Sequence, residues 1–292
     1  MKKKILFILG TAHSGSTLLS LILDSSSQCL TVGELSNLPR LYKNNIPISQ
    51  TSCNFWNSKF SKDELHKLSL GLSNTRISPW IPLLVEKFFR EFINDDIFRP
   101  YSIIASKTSA DIIIDSTKTT YWISKMLSLK ELKKEFDVYL LHLVRDGRGV
   151  LNSYLKKRNQ MTVEDISQLW LKRVTNNELF FRNFSRGNKI QLAYEELTTN
   201  PQKIVKQLCD FLGIDFTPEM INYWKYEHHM ISGNRGTQSL ISKYQNQLEE
   251  SPKSPDLSIK LDLSWQTMLT EDDLKKFYAI VGDKNKPYEW NI

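Results

Sequence analysis

Lys4-Ile5-Leu6-Phe7-Ile8-Leu9-Gly10-Thr11-Ala12-His13-Ser14-Gly15-Ser16-Thr17-Leu18-Leu19 is the stretch that decides the fold. Its apolar run from Ile5 to Leu9 stops at Gly10, the pattern of a short strand buried on both faces. Beyond the loop, Leu18, Leu19, Ile22 and Leu23 recur at helical spacing. Gly10 and Gly15 stand five apart and Ser16-Thr17 enters the helix, which is the spacing of a phosphate-binding P-loop. Gly15 lets the backbone aim N–H groups inward, the helix N-terminus adds positive dipole, and the Ser16 and Thr17 hydroxyls can donate to phosphate oxygens. The candidate anion-binding set is His13, Ser14, Gly15, Ser16 and Thr17. Ser16 occupies the place of the lysine that reaches the β- and γ-phosphates in ATP- and GTP-hydrolysing loops. Holding a single 5′-phosphate does not need that lysine. The bland alternative is a plain strand-to-helix turn.

Outward from this unit the same grammar repeats. Ile112-Ile113-Ile114, Val138 to Val144 and Ile190 to Ala193 read as buried strands, with helices expected near 119–130, 147–158 and 201–212. A longer helix over 163–184 carries Ile166, Leu169, Trp170, Val174 and Phe181 on one face, and Thr270 with Asp273 caps a last one to about 281. Alternating strands and helices imply an α/β fold with a mostly parallel sheet covered on both sides. Residues 40–60 read as polar and irregular, and 245–258, with Pro252 and Pro255, as a mobile loop. Neither an internal repeat nor a linker is visible, so one domain over 1–292 is expected. At the end of the second of these strands Val144 runs into Arg145-Asp146-Gly147-Arg148-Gly149, with Ser153 eight residues past Arg145. A guanidinium at the carboxyl end of a parallel strand, joined by that hydroxyl, suits a second, separate phosphate. A surface Arg-Asp pair is the bland reading.

Composition narrows the classes. With 292 residues, 40% hydrophobic and 24% charged, the chain is neither disordered nor fibrous. A net charge of +7 suits anion handling, and the lack of any Lys/Arg run longer than three residues speaks against a nucleic-acid partner. Cys29, Cys53 and Cys209 show no C-x-x-C spacing, hence neither a zinc knuckle nor a disulfide framework and a reducing compartment. The apolar run after Lys4 is shorter than a secretory core of ~7–15 residues, and none nears the ~20 of a membrane span. A cytoplasmic protein without a membrane span is expected.

In order, the motifs resemble the PAPS-dependent sulfotransferase superfamily, whose donor is 3′-phosphoadenosine 5′-phosphosulfate (PAPS). Ala12-His13-Ser14-Gly15-Ser16-Thr17-Leu18-Leu19 resembles its 5′-phosphosulfate loop, and Val144 to Arg148 with Ser153 its 3′-phosphate motif. Asp115-Ser116-Thr117-Lys118 is similar to the D-S-S-K segment of bacterial members. Val32-Gly33-Glu34 resembles the glycine–glutamate of tyrosylprotein-sulfotransferase-like members, whose glutamate is the base. Ala193 to Leu197 with Pro201 and Phe211-Leu212-Gly213 matches a later family stretch, and His229 to Asn234 its H-x-x-x-G-N segment. The resemblance covers roughly 4–238. It implies a P-loop-like three-layer α/β/α fold, PAPS as co-substrate, 3′,5′-adenosine bisphosphate as product, and in-line sulfuryl transfer needing no metal. Two departures stand out: His13 replaces an Arg or Lys common in relatives, and Gly236-Thr237-Gln238 follows where bacterial members place another arginine. The 3′-phosphate grip of that loop then rests on Arg235 or on backbone.

The expected roles follow. Glu34 is the candidate base, its bland alternative being a cap for a helix over 35–42. His13 is the second candidate base or a ligand of the phosphosulfate. Lys118 supplies the missing cation near the bridging oxygen, or else is a solvated helix-start lysine. Arg145 and Ser153 hold the 3′-phosphate, assisted by Lys157. Tyr194 lines the adenosine side or packs in the core; Trp170, Trp224 and Trp265 are read first as core. His228-His229 is read as structural, since adjacent side chains point apart. Rival readings are a P-loop nucleotide or small-molecule kinase and a catalytically silent nucleotide-binding module. The acceptor, a hydroxyl or amine on tyrosine, carbohydrate, lipid or small molecule, stays open, with 40–100 and 239–265 expected to shape its pocket.

Overall fold

Alternate residues of the first strand face two different cores. The computed structural model describes residues 2–48, 55–73, 99–157, 160–184, 187–247 and 257–290. In it β1 (Lys3–Gly10), β2 (Cys29–Gly33), β3 (Ile112–Lys118), β4 (Phe136–Val144) and β5 (Lys189–Ala193) form a sheet of order β2-β3-β1-β4-β5. Every pairing is parallel, Leu9 lying opposite both Lys118 and His142. Ile5, Phe7 and Leu9 join Val32, Ile113, Val138 and Leu140 in one core. Leu6 and Ile8 join Ile112, Ile114, Leu141 and Leu143 in the other. A strand wrapped on both faces needs apolar residues at every position, which is why Ile5 to Leu9 shows no polar alternation.

Helices Leu38–Lys43, Lys62–Ser73, Pro100–Ala105 and Thr120–Leu127 cover the first face; Ser16–Asp24 and Pro201–Leu212 cover the second. A third cluster joins Gly147–Leu155 to Val163–Asn183 and Glu271–Val281 through Val150, Trp170 and Phe277. This is the expected three-layer arrangement with a mostly parallel central sheet. Thr270/Asp273 forms the capping box that the sequence indicates, and Thr162/Asp165 forms another at the start of Val163–Asn183. Part of 40–60 differs from its irregular reading: Leu38–Lys43 and Phe55–Lys59 are helical, and Leu41, Trp56 and Phe60 enter the core. Sparse apolar residues in a polar stretch hide such short helices from periodicity. The helix Arg235–Gln247 likewise covers the start of 245–258, whose residues 248–256 lie outside the described residues. Among the described residues no helix is long and apolar enough to cross a membrane.

Trp170 and Trp265 are buried, as read, and Trp224 packs half-buried against the second core. His228 is structural too. Its Nδ1 lies 2.7 Å from Asp24 Oδ2 and its Nε2 2.7 Å from the Tyr223 carbonyl. Asp24 Oδ1 also accepts the Thr31 amide at 2.5 Å. One buried carboxylate thus ties the end of the first helix to β2 and to the 223–234 segment. Asp24→Ala leaves the Thr31 amide and the His228 ring without that acceptor, and about 1–3 kcal/mol per stranded group is lost. A lower urea midpoint at unchanged slope checks this.

Candidate active site

The carboxyl ends of β1, β3 and β4 open on a cleft of about 590 Å³. Ligands of parallel α/β sheets bind at this edge. The loop after β1 forms its floor, because Gly15 adopts φ +89° and any Cβ there would meet the Tyr194 ring at 2.5 Å. Only glycine fits that position. Ser16 and Thr17 line the cleft at the helix start, and the Asn234 amide donates to Thr17 Oγ1 at 3.0 Å. Ser14, expected among the anion-binding residues, is fully buried and does not line the cleft.

At one end of the cleft stand Glu34 and Lys118, paired through Oε1 and Nζ. Gly33 turns the chain at φ +67°, where a Cβ would lie 2.5 Å from the Ser232 carbonyl. The Glu34 amide then donates to that carbonyl at 3.1 Å. Asn37 Nδ2 donates to Glu34 Oε2 at 3.1 Å and to Ser232 Oγ at 3.2 Å. Glu34 sits at the N-cap position of the turn Leu35–Asn37 without making a side-chain cap bond, so the capping alternative fails. Lys118 owes its place to Asp115, which accepts from the Tyr101 hydroxyl (2.7 Å), Trp122 Nε1 (2.7 Å), and the Thr117 amide (2.9 Å) and hydroxyl (2.6 Å). Burial raises the Asp115 carboxyl above its ordinary range, against the pull of those donors.

The other end is built on Arg145. Its Nη1 donates to the His13 carbonyl at 2.8 Å and to Ser153 Oγ at 3.4 Å, and its guanidinium lies 4.2 Å from the Tyr194 ring centre. Arg145 does not pair with Asp146. That carboxylate instead meets Arg148 Nη2 at 2.6 Å and accepts the Trp290 amide and Asn285 Nδ2. Arg145 Nη2 reaches Asp262 at 3.1 Å, and Lys156 and Lys157 line the same end. The His13 ring packs edge-on against Tyr154 with centroids 4.6 Å apart. Burial above all, then the charges of Lys157, Arg145 and Lys118, push its imidazole down to about 4. At neutral pH His13 is thus an uncharged hydrogen-bonding group, and Lys118 is the cation nearest Glu34.

The cleft therefore gathers Glu34, Lys118, His13, Gly15, Ser16, Thr17, Arg145, Ser153, Lys157 and Tyr194 from across the chain. The Arg235 side chain lies outside the described residues. Sequence reading missed Asp262, Lys156 and Asn37, and named Asn234 only within a family segment, without a role. Lys156 beside Lys157 was open to the helical-face argument and Asn37, three residues past Glu34, to an i, i+3 one; Asp262 carries no local signal, since only folding brings it to Arg145.

Comparison with known proteins agrees with this fold. The sequence profile described as "Sulfotransferase family" matches residues 6–218. A Caenorhabditis briggsae relative named "Putative protein-tyrosine sulfotransferase" is 20% identical over 96% of this chain and 89% of its own length. Among solved structures, the sulfotransferase domain of the Synechococcus PCC 7002 olefin synthase superposes with a TM-score of 0.58 at 19% identity, covering 100% of this chain and 98% of that one. The sulfotransferase domain of the curacin biosynthetic pathway gives 0.56 at 18% identity, covering 99% of each.

The His13 environment sets a pH dependence. In NMR the imidazole of the free protein is expected to titrate near pH 4, and binding of a polyanion to move it upward. Because the folded value lies below the ordinary 6.5, the unfolded chain binds the proton first. Stability contributed by His13 is therefore lost as pH falls from about 6.5 towards 4, and His13→Gln flattens that part of the profile. A ring titrating at its ordinary value in the free protein contradicts the packing described.

Proposed function

The chain belongs to the sulfotransferase family, and from that premise we propose that its whole length, residues 1–292, works as one catalytic domain moving a sulfuryl group from PAPS to a hydroxyl. The observation that carries this reading is the pairing of two anion positions in one cleft, a lysine-free phosphate loop and Arg145, with Glu34 and Lys118 beside the first. A donor with a 5′-phosphosulfate and a separate 3′-phosphate needs two such positions. The backbone amides after Ala12 and the Ser16 and Thr17 hydroxyls take the 5′ end; Arg145, Ser153 and Lys157 take the 3′-phosphate; Tyr194 lies between them.

Transfer requires the acceptor oxygen in line with the leaving phosphate, loss of its proton, and compensation of charge on the bridging oxygen. Glu34 accepts the acceptor proton as general base, with one oxygen fixed by Asn37. Lys118 leaves Glu34 for the bridging oxygen, which gains the electron pair of the broken S–O bond. The new S–O bond forms on the acceptor and 3′,5′-adenosine bisphosphate departs. His13, neutral, donates a hydrogen bond to the phosphosulfate. The name of the nematode relative makes a tyrosine hydroxyl the first acceptor class to test.

Calorimetric titration separates donor from acceptor questions. The protein is expected to bind 3′,5′-adenosine bisphosphate and to ignore ATP with Mg²⁺. Arg145→Ala weakens the bisphosphate about ten- to a hundredfold, the worth of a hydrogen bond to a charged group. Binding of ATP with indifference to the bisphosphate overturns the reading. Glu34→Gln leaves bisphosphate affinity intact and lowers radiolabelled sulfuryl transfer from PAPS to a tyrosine-bearing peptide by about 10²–10⁴-fold. Equal loss of affinity assigns Glu34 to structure instead.

A further inference from the structure

Asp262 lies on the irregular stretch 257–264, ahead of the short helix Trp265–Met268. The stretch is tied at both ends. The Tyr223 hydroxyl donates to the Leu257 carbonyl at 3.4 Å, and Asn152 Nδ2 donates to Ser264 Oγ at 3.0 Å. Between these ties Ser258, Ile259, Lys260 and Asp262 line the cleft. Asp262 Oδ2 accepts from Arg145 Nη2, while Oδ1 takes the Ser264 hydroxyl (2.5 Å) and amide (3.2 Å), with Lys156 Nζ 3.9 Å away. The Arg145 side chain is 6% exposed and that of Asp262 37%. The guanidinium is thus built into the fold, whereas the carboxylate sits at the mouth.

Carboxylate and phosphate offer a guanidinium the same thing, anionic oxygens spaced for its fork. Held on neighbouring N–H groups of one guanidinium, the two anions repel each other, so they compete for it. Resting on the reading that Arg145 holds the donor's 3′-phosphate, we propose that Asp262 is a built-in competitor for that phosphate. It covers Arg145 and Lys156 in the free protein, moves aside as a 3′-phosphorylated nucleotide enters, and returns as the bisphosphate product leaves. The exchange swaps one anion for another on the same cations, so the buried guanidinium is never left bare. Asp262 itself goes to water, where a carboxylate is well solvated. The arrangement weakens product binding and speeds its departure, which shortens the interval before the next donor can bind.

The test compares two nucleotides that differ only in the 3′-phosphate. Adenosine 5′-phosphate and 3′,5′-adenosine bisphosphate are titrated into the full chain and into Asp262→Asn, near-isosteric and partly exposed. An ion pair with one partly exposed partner is worth a factor of about two to five in affinity. Asp262→Asn is expected to tighten the bisphosphate by that factor, through slower dissociation in stopped-flow, and to leave the monophosphate unchanged. Ser264→Ala, which frees Oδ1 without removing charge, shifts the bisphosphate the same way by less. A weaker bisphosphate in Asp262→Asn means that the carboxylate orients Arg145 in the complex, and it overturns the proposal. Equal tightening of both nucleotides reduces the effect to long-range charge and overturns it as well, as does no change while the wild type prefers the bisphosphate. Wild-type protein that binds both nucleotides alike removes the 3′-phosphate reading of Arg145 itself, a separate failure.

Discussion

Arg145 is the contact on which the site depends. One guanidinium touches the phosphate-loop backbone at His13, the following helix at Ser153, the ring of Tyr194 after β5, and Asp262 on the 257–264 stretch. These segments are remote in sequence, and each binds a different face or edge of a planar, permanently charged group. A lysine has the charge without the planar fork, so it cannot stack on the Tyr194 ring while presenting separate edges to the loop carbonyl and an outside anion. Tyr194 connects this hub to the floor of the cleft, since the ring beneath the guanidinium also fills the space over Gly15. The loop conformation and the second anion position are thus fixed by the same two side chains.

The chemistry at the other end rests on a different kind of support. Asp115 never reaches the cleft; it is buried and spends its oxygens on Tyr101, Trp122 and Thr117. Those bonds hold the last turn of β3 while Lys118 takes φ +73°. A non-glycine residue in that region costs about 1–3 kcal/mol and persists only where its surroundings fix it. The strain falls on the residue whose ammonium must sit beside Glu34, and the fully bonded carboxylate behind it offsets the cost.

Much of this was legible in the sequence, and the limit is physical. β1 and its loop were readable because a doubly covered strand must be apolar throughout and Gly15 must be glycine. Arg145, Ser153 and Lys118 were readable because each lies at a strand end or one helical face away from it. Short helices such as Leu38–Lys43 and Phe55–Lys59 were not, because one or two buried residues per element leave no periodicity. Asp262 was invisible for a stronger reason: its meaning is a contact over 117 positions, and no local rule ranks one aspartate above another. The same holds for the bond from Asn37 to Ser232, 195 positions away.

In the free protein both ends of the cleft are closed by their own carboxylates, Glu34 on Lys118 and Asp262 on Arg145. The two pairs look alike and are held differently. Glu34 follows a glycine that only its own backbone geometry permits, its amide is bonded to Ser232, and Asn37 grips the oxygen that Lys118 does not. The Asp262 carboxylate bonds locally to Ser264, two residues on, in a stretch without regular structure, while its backbone meets the Tyr194 hydroxyl. In the proposed chemistry, Lys118 is the mobile partner at the first end and Asp262 at the second when an anion enters. A base must stay while its cation turns to the leaving group; a placeholder must go while its cation stays. The local bonding of each carboxylate matches the part that the chemistry assigns to it.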